Sequence, residues 1–382
     1  MQSVSDDNVN GLPVQISIGI VARNEEARLG ATVQSLFEQS LFSELAQRGW
    51  RCEILLMANG CTDRTAEVAH VIFDTQQKYH PEHNEFVARV IELPERGKIN
   101  AWNQFVHLHS AKEAKFLYLM DSDILINRRE TLWNMLRALE VDDQASITVD
   151  RPQKHISFNE KKSLADRCSL AFSRLTSSAD AQLCGQLYCI RAEIARRIYL
   201  PKDLSACEDG FIKSIVCTDF LTHPSAPQRI RVADGAEHIF ESYSSISAIL
   251  KNQKRQIMGQ TILHILLDGY LQSLPVGERG KLADTLKEKD RTDPTWLKRL
   301  IVQHLQRTKF WWRLYPGMIG VGLRRLKRLK PGERLACFPA AIAGSSLALI
   351  SGLLAFKALK AGCTDYWPQA QRHGLNPAGF NV

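Results

Sequence analysis

Four short apolar runs recur through the first third of the chain, each separated from the next by a stretch of helical length. Gln15–Ala22 (QISIGIVA), Cys52–Ala58 (CEILLMA), Ala88–Leu93 and Lys115–Met120 (KFLYLM) read as strands. Between them the spacing predicts helices from Ala27 to about Phe42, with Leu29, Val33, Leu36 and Phe37 on one face, from Thr62 through Ala69, and over Lys98–His109. Strands buried on both faces and alternating with helices imply a parallel α/β sheet. In such sheets ligands bind beyond the carboxyl ends of the strands. Asn24, Asn59 and Asp121 all fall there.

Asp121-Ser122-Asp123 directly follows the apolar strand KFLYLM. Two carboxylates at a strand end can hold a hard divalent cation, and that cation can neutralise phosphate oxygens. A solvated turn is the bland alternative, which the position after a buried strand disfavours. Further on, Ala181–Ile190 reads as a strand pair or a strand-turn around Gly185, and Arg229–Val232 as a strand. Glu208-Asp209 opens an amphipathic helix, and Ser247–Leu271 reads as a helix. The acidic pair is either a cap that complements the helix dipole or a general base, and the residues alone leave both open. Of the histidines at 107, 109, 223 and 238, His238 is the best metal-ligand candidate, although packed or exposed histidines are commoner than metal-bound ones.

Charge is unevenly spread. Trp296–Arg334 holds eleven Lys/Arg against Glu333 alone, net +10, within a chain of net +8, so the remainder is nearly neutral. KFWWRLYPG (309–317) and RRLKRLK (324–330) interleave cations with Trp and Tyr. Leu335–Phe356 then runs 22 residues without a charge, about the length needed to cross a hydrocarbon core. A buried helix hairpin is the alternative; the adjoining basic and aromatic belt favours contact with anionic lipid. Nine cysteines with no CxxC pair make zinc fingers or a disulfide framework unexpected and point to a reducing compartment. The leader MQSVSDDNVNGLPVQ lacks a basic region followed by an apolar run, so no signal peptide is expected.

Six segments occur in an order that resembles family 2 glycosyltransferases: VARNEEARLGATVQSL (21–36), MANGCTDRTAEVA (57–69), RGKINAWN (96–103), LYLMDSDI (117–124), CGQLYCIRAEI (184–194) and CEDGFI (207–212). The resemblance implies a GT-A fold, a Rossmann-like, mostly parallel sheet flanked by helices. It also implies a nucleotide-diphosphate sugar donor, Mn2+ or Mg2+, and inverting transfer. By the same resemblance Ala22, Asn24, Glu26, Asn59 and Asp63 would line the nucleotide pocket, Lys98 would approach the diphosphate, and Gly185 would lie on the acceptor side. Asp121 would contact ribose or metal, Asp123 would bind metal, Asp209 would be the base and Glu208 its neighbour. Two departures stand out. Ala58-Asn59 replaces the usual acid of the second turn. KNQKRQIMG (251–259) keeps Arg255, a candidate diphosphate ligand, but has Gln256 where processive synthases carry a Trp.

The expected organisation is a polar leader (1–14), a GT-A domain (15–245), a helical basic and aromatic membrane-interface segment (246–334), a candidate transmembrane or membrane-inserted helix (335–356) and a tail (357–382). The expected protein sits on the cytoplasmic face of the cell membrane, with its catalytic domain in the cytosol. Its acceptor would be lipid-linked or a cell-surface glycan, its surface partner an anionic membrane, and nucleic acid no partner. Two other classes compete. A nucleotidyltransferase should carry a Gly-rich basic phosphate loop after the first strand, which VARNEEARLG lacks. A nucleic-acid binder would stack bases on Trp311, Trp312 and Tyr315, but the uncharged run that follows fits lipid better.

Overall fold

A computed structural model describes residues 13–163, 166–167, 169–171, 182–204, 207–242, 245–315, 318, 326–327 and 329–364. Most of the leader, the tail from 365, and Arg324, Arg325 and Arg328 of the basic cluster lie outside them.

The four apolar runs form β1 (Val14–Ala22), β2 (Arg51–Asn59), β3 (Phe86–Leu93) and β4 (Phe116–Asp121). They are parallel in the order β3-β2-β1-β4, with Ala22 beside Ala58 and Val21 beside Asp121. Their alternation sorts side chains into two core layers. Ile54, Leu56, Tyr118 and Met120 join one, while Leu55, Met57, Leu117 and Leu119 join the other.

Beyond β4 the sheet stops being parallel. β5 (Ile124–Ile126), β6 (Ile147–Lys154), β7 (Leu187–Arg191) and β8 (Ile230–Phe240) complete eight strands in the order β3-β2-β1-β4-β7-β6-β8-β5. β7 runs antiparallel to both β4 and β6, β6 is parallel to β8, and β5 is antiparallel to β8. The result is a mixed sheet flanked by helices.

Helices α1 (Leu29–Phe37), α2 (Leu41–Arg48), α3 (Thr65–Tyr79), α4 (Lys98–Gln104) and α5 (Thr131–Glu140) flank this sheet. The single helix expected over 27–42 is interrupted at Glu38–Ser40. There the Ser40 amide and the Gln39 side-chain amide turn to the carbonyls of Arg129 and Arg128 instead of continuing the helical ladder. The helix expected over Lys98–His109 likewise widens at Phe105–His109, where the Ser110 amide reaches back to the Phe105 carbonyl. That turn packs Phe105 onto β1. A Cβ on Gly19 would stand 2.8 Å from its ring, so only glycine fits there.

The C-terminal half adds α6 (Glu208–Cys217), α7 (Ile246–Leu267), α8 (Leu282–Thr292), α9 (Trp296–Arg307) and α10 (Pro331–Lys360). α10 is one continuous helix that includes the whole uncharged run. Ser351, Gly352, Ala355 and Leu359 form a buried stripe along its second half, at helical spacing, against α7, α9 and Trp311, while Cys337 and Ala341 pack with Ala171, Leu326 and Leu329.

Candidate active site

Two loops meet at the ends of β1 and β2. Asn24 sits at φ 53°, a left-handed conformation that Asn tolerates better than most residues. Its amide nitrogen donates to Thr62 Oγ1 (3.1 Å), and its amide oxygen accepts from the Thr62 backbone (2.8 Å). Glu26 accepts from the Arg64 amide (3.0 Å), while Asp63 accepts from the Glu26 amide (3.2 Å) and the Thr65 hydroxyl (2.6 Å). The Ala22 carbonyl faces the Cys61 thiol (3.6 Å). Asn24, Glu26 and Asp63 therefore clasp the two loops together. Asn59, at the buried end of β2, accepts from the Gly97 amide (2.8 Å) and so anchors the loop that delivers Lys98. The job done here by the Asn in place of the usual acid is to fix that loop.

Lys98 is the hub of the site. Its ammonium lies 2.6 Å from Asp121 and 2.9 Å from Glu208, and it donates to the Gly185 carbonyl (3.1 Å). Asp121 closes β4, Gly185 precedes β7, and Glu208 opens α6, so one side chain joins three elements. Gly185 is tightly placed: a Cβ there would come 3.2 Å from Glu208 Oε1 and 3.4 Å from the Asp209 Cβ. Asp209 accepts from the Gly210 amide through Oδ1 (2.7 Å). Arg255 on α7 donates to Asn252 (3.1 Å), and its charge acts on both Glu208 and Asp209.

Electrostatics separates these groups. Burial works against the Lys98 ammonium, but Asp121 and Glu208 outweigh it and hold the lysine charged, above its ordinary range. Burial also lifts the Asp121 carboxyl; Lys98 opposes this while Asp123 and Glu208 add to it, and the net value is about 6. For Glu208, burial is outweighed by Lys98, and the carboxyl falls below its usual range. Asp209 is pushed up to about 6 by burial and by the neighbouring Glu208 charge. The adjacent carboxyls of α6 are thus driven apart, Glu208 down and Asp209 up.

Among the described residues His238 joins no group of three or more His, Cys, Asp or Glu around a metal position. It is fully buried on β8, with Nδ1 2.6 Å from the buried Asp150 of β6 and Nε2 3.4 Å from Gln186 Oε1. The Gln186 carbonyl in turn accepts from the Asp121 amide (2.8 Å), so the Asp150–His238–Gln186 series backs the DSD turn from behind. Asp150 and the side chain of Gln186 were not apparent from sequence, because their partner His238 lies 88 and 52 positions away.

Among the described residues no group of three or more His, Cys, Asp or Glu is arranged around a metal position. The carboxylates of Asp121 and Asp123 interact unfavourably, a repulsion that a divalent cation would relieve. A cation held there by oxygen would complete its shell with oxygens from a ligand.

The mixed sheet thus gathers Asp121 and Glu208 around Lys98 beyond β4 and places a loop clasp at the ends of β1 and β2, an arrangement consistent with a GT-A fold. Residues 17–191 match the model of glycosyl transferase family 2. Similar solved structures include S. aureus TarS 1–349, at 14% identity over 91% of this chain and 92% of that one, TM-score 0.44. M. tuberculosis glucosyl-3-phosphoglycerate synthase is another, at 17% identity over 66% of this chain and 80% of that one, TM-score 0.40. No curated protein matches the sequence.

Proposed function

We propose that this transferase is an inverting, membrane-associated hexosyltransferase. It moves a sugar from a nucleotide-diphosphate donor to a hydroxyl of a lipid-linked or cell-surface glycan acceptor, at the cytoplasmic face of the membrane. The observation that carries this reading is the Lys98 bridge, which brings the DSD end of β4 against the Glu208-Asp209 start of α6.

In this reading Asp209 is the base. Gly210 holds its Oδ1, leaving Oδ2 to take the acceptor's O–H proton. The acceptor oxygen then bonds to the anomeric carbon as the bond from that carbon to the phosphate oxygen breaks, and the nucleoside diphosphate departs with that electron pair. A value near 6 leaves Asp209 ionised at neutral pH yet more basic than an ordinary aspartate. Mn2+ or Mg2+ held by Asp123, with Asp121, would neutralise charge on the departing diphosphate. Lys98 holds Glu208 and Asp121 together and oriented. The loop clasp of Asn24, Glu26 and Asp63 shapes the nucleotide side, beside Ala22 and Asn59. Arg255 offers a cation to the diphosphate, and Gly185, with no Cβ, lets the acidic pair close on the acceptor side.

Incubation with a panel of nucleotide-sugars and Mn2+ should release nucleoside diphosphate from one donor. Asp123→Ala should abolish Mn2+-dependent donor binding in calorimetry while the thermal transition is kept. Unchanged affinity in that variant would remove the metal assignment.

A further inference from the structure

We propose that α10 lies in the plane of an anionic membrane interface instead of crossing the bilayer, with both of its ends on the side of the catalytic domain. The inference rests on the membrane association proposed above and specifies its geometry.

By length and composition Ala341–Lys360 passes as a membrane span, and only 22% of its 18-residue apolar window is buried in the protein. Its surroundings argue against crossing. The buried stripe already has a protein partner: Ser351 faces the Leu250 carbonyl (3.5 Å) and Gln253 Oε1 (3.4 Å) of α7, and a Cβ on Gly352 would touch Met318 and Trp311. Past the helix end, Thr364 donates to Asp203 (2.7 Å), which lies between β7 and α6 in the catalytic domain. A helix whose C-terminal exit is bonded to the catalytic domain does not deliver that exit to the opposite leaflet. Spanning would also strip Ala355 and Leu359, both fully buried, from their contacts.

The opposite face is apolar and uncovered. Leu335, Phe338, Ile342, Leu349, Ile350 and Leu354 are 39 to 80% exposed and follow one side of the helix. A single soluble chain seldom leaves so long an apolar row in water. Charge selects the occupant. Arg334 precedes the row, Lys357 and Lys360 follow it, exposed Phe310 and Trp312 lie in the same basic segment, and that segment carries net +10. An apolar row between cations and aromatic residues fits the boundary between anionic headgroups and acyl chains.

The test uses Cys363, which is exposed just beyond α10. In bacterial spheroplasts expressing the full chain, a membrane-impermeant maleimide should label Cys363 only after lysis, with Cys363→Ser subtracting the other cysteines. Labelling of intact spheroplasts would show that α10 crosses, overturning this inference while membrane association stands. Recovery of the chain in the soluble fraction at low salt would overturn the association itself. In parallel, the purified chain should co-sediment with phosphatidylglycerol/phosphatidylethanolamine vesicles and not with phosphatidylcholine alone. I342E/I350E should weaken this at least about tenfold without lowering Tm, because both side chains are half exposed. A variant that still binds vesicles as wild type but loses self-association would identify a second copy of the chain as the occupant and refute the proposal.

Discussion

Asp209 and Lys98 show what the site demands of single residues. Asp209 is raised to about 6, against about 3.9 in an unfolded chain. Between these values the folded protein binds more protons than the unfolded one, so this group's contribution to stability falls as pH rises from about 4 to about 6. Asp209→Asn should therefore have a Tm a few degrees above wild type at pH 7.5, with the difference vanishing near pH 4. The same variant should retain donor binding and lose transfer by about a hundredfold or more. Equal Tm differences at both pH values would contradict the raised carboxyl. In the wild type, kcat/KM should fall below about pH 6. A slope of one would indicate titration of Asp209. Lys98→Met removes the cation between two largely buried carboxylates and should destabilise the fold by about 3 kcal/mol in urea titration. Stability equal to wild type would show that the bridge carries no net energy.

The loop clasp and the back of the sheet are properties of elements. Asn24 contributes both a left-handed backbone and two hydrogen bonds, and the two can be separated. Asn24→Gly keeps the backbone and loses the bonds, whereas Asn24→Ala loses both and should be less stable than the glycine variant by about 1 kcal/mol. Equal stability of the two variants would mean that the φ of 53° carries no strain. Legibility from sequence divides along the same line. DSD at a strand end and Glu-Asp at a helix start were readable because each depends only on neighbouring residues and a local period. The antiparallel entry of β7 beside β4 was not, because a strand's apolar pattern says nothing of its partner's direction. Lys98 was expected near diphosphate, and its cationic role is local knowledge; its pairing with Asp121 and Glu208 depends on contacts 23 and 110 positions away. His238 looked like a ligand because its burial against Asp150, 88 positions distant, is a tertiary fact.

At the scale of the molecule, α10 is part of the protein's packing as well as a surface. Its stripe covers α7, whose Ile257, Met258 and Ile262 belong to the core cluster that includes Cys207 and Phe211 beside the acidic pair. Ending the chain before Pro331 should lower Tm and promote aggregation in detergent-free buffer, measured by scanning calorimetry and light scattering. An unchanged Tm would show that α10 is an appendage with no part in holding α7. The Lys98 bridge carries a further consequence for the whole enzyme. Because one ammonium is shared by Asp121 and Glu208, which the proposed function sets on the donor and acceptor sides, a ligand that draws it towards one carboxylate weakens its hold on the other. Such a shared counter-ion is a linkage between two binding equilibria, and linkage is reciprocal: whatever factor the donor imposes on acceptor affinity, the acceptor must impose on the donor.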